Sequence, residues 1–199
     1  MSVNAILDTT LALRRRVAAA AGGAIFVGPP VRGLMGNKTV SLFLFQVEAS
    51  RDLRNVDRPA PQQAAGPFAA PAEQLSALPL DLRYMISVFR TAGAGPDSDP
   101  LELGVLGAIM AALHADPTLT ETEVEGQTVR VTLEPASLDD INRVWGIFPE
   151  ESYQTSVIYL ATPVWVEAGN IRVGPPVLEH EQQAGLSTAP PAFAEEGAA

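Results

Sequence analysis

The chain has 199 residues, 47% of them hydrophobic, with a formal net charge of -10 and a pI near 4.6. That length buries one core of ordinary size, so a single domain is expected. The acidic balance excludes a sequence-independent nucleic-acid binder, which needs a dense Lys/Arg face against phosphates, and disfavours docking on acidic membrane surfaces.

Cysteine is absent, which removes disulfides, thiolate metal sites and cysteine nucleophiles and is consistent with folding in the cytosol. The longest apolar run, Leu103 to Leu113, falls short of the roughly 20 residues of a bilayer span, so no direct membrane insertion is expected. Arg14-Arg15-Arg16 before an apolar stretch imitates a secretory leader, but Asp8 and the apolar residues ahead of the arginines do not fit one. Charge is uneven: residues 1–58 hold eight Lys/Arg against four Asp/Glu, and the remainder five against nineteen. Opposite charge on two parts of one subunit suits head-to-tail contacts between copies, although from charge alone plain solubility is the simpler account.

In chain order, Val3, Ile6, Leu7, Thr10, Leu13 and Val17 recur at helical spacing. They predict an amphipathic helix over 3–20, ended by Gly22-Gly23, with its arginines in the last turn. A short strand at Ile25–Val27 is stopped by Gly28-Pro29-Pro30. Val40–Ala49 is apolar on both faces at first and polar on one later, the pattern of a central strand covered on both sides near its start. Residues 57–77, with four prolines, many alanines and three glutamines, predict a long flexible loop. Leu78 to Val88 alternates with Asp81, Arg83 and Ser87 as a half-buried strand does. Asp99, Pro100 and Glu102 open a helix whose buried stripe is expected to be Leu101, Val105, Ile109 and Leu113.

Val129, Val131 and Leu133 form another alternating strand. Ser137 with Asp140 forms a capping box ahead of a helix carrying Leu138, Ile141, Val144, Trp145 and Phe148. Thr155–Val166 is a strand in which Pro163 demands an edge or a bulge, because proline has no N–H for the ladder. Ile171–Val173 follows as a short partner strand. The globular domain is placed at 1–183, and the Ala/Pro/Glu tail 184–199 is expected to be disordered. Residues 25–31 and 171–177 share the pattern I-x-V-G-P-P-V, which marks Ile25, Val27, Ile171 and Val173 as candidates for exposed sheet edges. The fold class is α+β: one domain, a mixed and mostly antiparallel sheet, and about three helices packed on it.

Catalytic chemistry is scarce. His114 and His180 are the only histidines, and each stands alone, so no metal site is predicted. Gly33, Gly36, Lys38 and Thr39 lack phosphate-loop spacing and precede a strand where a helix is required. Ser137, Ser152 and Ser156 have no nucleophile-elbow context. Asp139-Asp140 and Glu150-Glu151 sit at a helix start and in a loop, as solvated carboxylates do. Trp145 and Trp165 lie in apolar stripes and are expected in a core or an interface.

Several segments taken together do carry a signal. Val40–Glu48 is followed by Leu53-Arg54-Asn55, then by Leu78–Met85, by Leu106–His114 with Pro117, and by Val131–Pro135 ahead of the Trp145 helix. In this order the chain, from about residue 3 to about 180, resembles the cap proteins of extracellular contractile injection systems, phage-tail-like particles of the antifeeding-prophage and virulence-cassette type. The resemblance implies a tail-terminator-like fold and a homo-hexameric ring. It implies partners in the inner tube protein and the sheath protein, whose polymerisation the ring stops, assembly in the cytoplasm, no cofactor and no enzymatic activity. Arg54, Asn55 and Arg83 are the interface candidates within the matching segments, with a turn or solvated-strand role as the plainer alternative for each. Competing functions are a baseplate or sheath adaptor of the same particle, a monomeric peptide-binding module using the 57–77 loop, and a small enzyme with an unrecognised carboxylate site.

Overall fold

A computed structural model describes residues 4–53, 77–90 and 99–167. The elements are α1 (Ala5–Ala21), β1 (Phe26–Val27), α2 (Arg32–Met35), β2 (Val40–Ala49), β3 (Ala77–Val88), α3 (Asp99–Ala115), β4 (Thr118–Leu119), β5 (Val129–Glu134), α4 (Leu138–Trp145) and β6 (Ser156–Glu167). The strands form one sheet in the order β1-β2-β3-β6-β5-β4. Among the described residues only the β1–β2 pair is parallel. The expected α+β class holds, with a fourth helix, the single turn α2, added to the three that were anticipated.

Alternation along the strands divides the side chains between two cores on opposite faces of the sheet. On one face Val40 and Leu42 of β2, Leu82, Tyr84 and Ile86 of β3, Val131 of β5 and Tyr159 of β6 meet Leu13 and Val17 of α1 and Ile109 and Leu113 of α3. On the other, Met85 and Phe89 meet Met35 of α2 and Val144 and Trp145 of α4, with Phe43 and Phe45 packed alongside. The result is three layers, the sheet between two pairs of helices.

This layering explains where expectation and structure part. The last half of β3 is not half-buried: Tyr84 to Val88 are all buried, because α4 and Met35 cover the face that Met85 and Ser87 occupy. The helix stripe of α3 is Leu106, Ile109 and Leu113, with Val105 only partly covered and Leu101 76% exposed. The first turn carrying Leu101 therefore contributes nothing to the main core. The α1 arginines are not in its last turn, since the helix runs on to Ala21 and ends at Gly22 in the left-handed conformation (φ 70°).

Pro163 lies within β6, between β3 and β5, so it is not at an edge. The ladder accommodates it by the register shift between the Leu80–Val164 and Leu82–Ala161 pairs, beside a cis Thr162–Pro163 peptide bond. β2 has its own shift between Leu44 and Gln46, which leaves Phe45 without a partner on β3 and turns Gln46 and Glu48 onto the face of Arg83. Ile171–Val173, the 57–76 part of the predicted loop and the 184–199 tail lie outside the described residues.

Candidate functional site

Among the described residues no three His, Cys, Asp or Glu side chains gather as a metal site would require. His114 stands exposed in the last turn of α3. Two of the three serines, Ser137 and Ser156, are committed to structure. Ser137 caps α4, its hydroxyl accepting from the Asp140 N–H at 3.2 Å while the Asp140 carboxylate accepts from the Ser137 N–H at 3.2 Å. The Ser137 hydroxyl, 2.6 Å from the Asp140 carboxylate and donating to it, and then the Ser137 N–H, with Arg143 nearby, hold the Asp140 carboxyl below its ordinary range.

Ser156 is 6% exposed. Its hydroxyl donates to the Gln154 carbonyl at 2.8 Å and accepts from the Trp145 indole N–H at 3.2 Å, and it lies 2.8 Å from the Ser87 hydroxyl. With its one proton given to Gln154, Ser156 accepts from Ser87, so no free hydroxyl remains to be activated.

Arg83 is the sequence candidate that the structure brings into a constellation. On the face of the sheet away from α1 and α3, its guanidinium Nε donates to both oxygens of Glu134 on β5 at 3.0 and 2.8 Å, and NH1 donates to Glu48 on β2 at 2.7 Å. One side chain thereby ties together β2, β3 and β5 across the width of β6. The hydrogen bond from Arg83 lowers the pKa of Glu48, and the bonds to Glu134 and Glu48 raise that of Arg83. Planar guanidinium geometry makes this fork possible where lysine would give a single point charge. The clamp borders a cavity of about 560 Å³ between the sheet and α4, whose lining includes Phe45, Pro135, Arg143 and Ile147.

The other candidates divide. Val27 is 40% exposed on β1, at one end of the sheet order, whereas Ile25 is buried in the main core and its side chain serves the chain's own packing. β1 ends at Gly28, whose φ of 147° suits glycine and where an added Cβ would sit 2.9 Å from the Phe26 ring. Arg54, Asn55, Ile171 and Val173 lie outside the described residues.

Three features escaped the sequence reading. Arg16 of α1 donates through Nε and NH2 to the two oxygens of Glu123 at 3.1 and 2.6 Å and also reaches the carbonyls of Asp116 and Thr118. This pairing holds the Glu123 carboxyl at about 2. Gln127, almost fully buried, imitates a strand partner: its Oε1 accepts from the Trp165 N–H at 2.7 Å and its Nε2 donates to the Trp165 carbonyl at 3.3 Å. The third is the outer side of α3, where Leu103, Gly104, Gly107, Ala108, Ala111 and Ala112 are exposed and no Lys, Arg, Asp or Glu occurs from Leu103 to Ala115. The signal for this last feature was present, since a helix apolar all round is a buried one, in its own chain or in an assembly. Neither Arg16 nor Gln127 has a local pattern that names its partner more than 30 residues away.

Among the described residues no helix is long and apolar enough to cross a membrane. No curated protein matches the chain. Among solved structures, the cryo-EM structure of the sheath/tube terminator of an extracellular contractile injection system, the PVC, in the extended state is similar with a TM-score of 0.59 and 20% identity over 92% of this chain. The cap of the anti-feeding prophage, described as its tube-terminating cap, is similar with a TM-score of 0.56 and 18% identity, again over 92% of this chain. The chain spans 65% of the first structure's length and 61% of the second's. At these identities the likeness establishes the fold. The family model described as the Pvc16 N-terminal domain matches residues 2–179, so the chain belongs to that family.

Proposed function

We propose that this protein is a structural cap, a terminator subunit that forms a ring on the last layer of the inner tube and sheath of a contractile injection particle and stops their polymerisation. The observation that carries the reading is the fold shared, over 92% of this chain, with a sheath/tube terminator and a tube-terminating cap. The chemistry of the surface supports it. A helix side of Leu103, Gly104, Gly107, Ala108, Ala111 and Ala112 left open to water is unusual in a free monomer and suits close packing against another subunit. Leu138 and Ile147, 64% and 65% exposed at opposite ends of the α4 region, extend the apolar surface on the second layer.

In this reading six copies close a ring by heterologous contacts, and exposed strand edges offer main-chain hydrogen bonds to terminal segments of the sheath. Val27 at the β1 edge, the Arg54-Asn55 segment and Ile171–Val173 are the contact candidates. Arg83 serves by keeping the strands in register, not by direct contact. The protein carries out no catalysis and needs no cofactor, and it assembles in the cytoplasm before the particle is released or used. Particles made without it should have ragged or overlong sheaths in electron micrographs. Sheaths of normal and uniform length in that deletion would contradict the proposal.

A further inference from the structure

α1 carries an outward stripe that its own domain does not use. Leu7 and Leu11 are 54% and 39% exposed, and Arg14 and Arg15 follow them, also exposed, at the spacing of one helix face. Among the described residues neither arginine has an ion-pair or hydrogen-bond partner for its guanidinium, and the carboxylate of Asp8 on the same face has none either. Arg16 and Glu123 beside them are spent on each other. On the opposite face of the sheet α4 presents a second stripe. Asp139 and Asp140 stand in its first turn, Arg143 in its last, and Ile147, 65% exposed, just beyond. Ser137 engages one oxygen of Asp140, Oδ2, and leaves Oδ1 open to solvent or a partner. Beside this stripe lies the cavity of about 560 Å³ lined by Phe45, Val144 and Ile158. The other charges at its border, Arg83 and Glu134, are paired with one another.

We infer that the α1 stripe of one copy docks antiparallel on the α4 stripe of the next. In that alignment Arg15 stands opposite Asp139, Arg14 opposite Asp140 and Leu7 opposite Ile147. The spacings agree, since Leu7 to Arg14 and Asp140 to Ile147 are the same step along the chain, about 10 Å of helix at ~1.5 Å per residue. Gly146 keeps helical dihedrals (φ -61°, ψ -15°), so Ile147 continues the line of α4. Leu11 then lies over the cavity, and Arg143 comes within a turn of Asp8, so each charge meets its opposite. A parallel alignment that pairs the same charges carries Leu7 and Leu11 past the start of α4, away from Ile147 and the cavity. Because α1 and α4 lie on opposite faces of the sheet, one copy cannot join its own two stripes. Two copies leave one stripe free at each end. The contact is therefore heterologous, and a ring closes it. The inference rests on the ring reading above and names the surfaces that form its joint.

Because the chain has no cysteine, Leu7→Cys and Ile147→Cys report the contact directly. Oxidised in the assembled state, the double variant should give a ladder of disulfide-linked multimers, and neither single variant should link to itself. Dimers from a single variant in place of the ladder overturn the inference, since they require a face that meets its own copy. Light scattering of the full chain gives a second reading. Arg15→Glu should weaken self-association about tenfold, and adding Asp139→Arg should restore it, because every joint then regains an opposite pair. A ring that forms with neither the linked ladder nor a response to Arg15→Glu overturns this joint and leaves the ring reading intact. A chain that stays monomeric, alone and with the tube protein, overturns both.

Discussion

Ser156 shows how much of this molecule is decided by single polar side chains placed between layers. Replacing it with alanine would leave the Trp145 indole N–H and the Ser87 hydroxyl without their common partner in a buried site. Unsatisfied buried donors cost about 1–3 kcal/mol, so Ser156→Ala should lower stability by that amount in denaturant titrations. A change under a few tenths would mean that water replaces the hydroxyl.

Glu123 makes a prediction with a sign. Its folded pKa, about 2, lies below the ordinary 4.5 because of the Arg16 fork. The stability it contributes is therefore complete above pH 4.5 and is lost as pH falls through about 2. Glu123→Gln should flatten that part of the acid limb and cost about 1–2 kcal/mol at neutral pH. An unchanged acid profile would place the acid sensitivity elsewhere.

Tyr84 acts at the opposite end of the scale. It is fully buried with its hydroxyl 2.8 Å from that of Thr10, and burial pushes its pKa up to about 12. Stability is thus complete below pH 10 and falls as pH rises toward 12, since the unfolded tyrosine ionises first. Tyr84→Phe should reduce that alkaline loss in pH-dependent melting experiments, and a variant that melts with the parent's pH dependence would contradict the assignment.

At the scale of elements, the capping box of α4 is the feature whose sequence signal and structure agree in detail. Ser137 and Asp140 are three residues apart, and both reciprocal bonds form. Ser137→Ala should cost about 0.5–2 kcal/mol and loosen Trp145 with the helix, which near-ultraviolet circular dichroism would detect. Strand and helix periodicity were legible wherever one face meets a core. The sequence reading went astray where a second element changes what a face meets. Met85 and Ser87 look like partly exposed positions of β3 until α4 lies over them, and the α3 stripe shifts from Leu101 to Leu106 because the first turn of the helix is not covered. The two-residue strands β1 and β4 and the single turn α2 are too short to show a period, and β4 in particular is defined only by its bonds to β5. Pro163 gave two options, edge or bulge, and only the neighbours of β6 decide for the bulge.

For the whole molecule, the order of the segments in the chain carried the family, and no composition or single motif did. The candidate site was less legible, because an assembly surface is built from residues that packing would also select. Arg83 was singled out from the polar face of its strand, but only the fold reveals that it spends its guanidinium on Glu48 and Glu134 within the same chain. The charge-free outer side of α3 and the outward stripe of α1 become meaningful only once it is known which faces the domain itself covers. Both are surfaces that a monomer leaves unsatisfied and a ring can use.

The central claim is that the protein closes a ring on the end of a tube. Native mass spectrometry or light scattering of the purified protein, alone and after mixing with the neighbouring tube protein, tests it most directly. The account predicts a sixfold ring, either free or on tube ends. A persistent monomer that ignores the tube would contradict it.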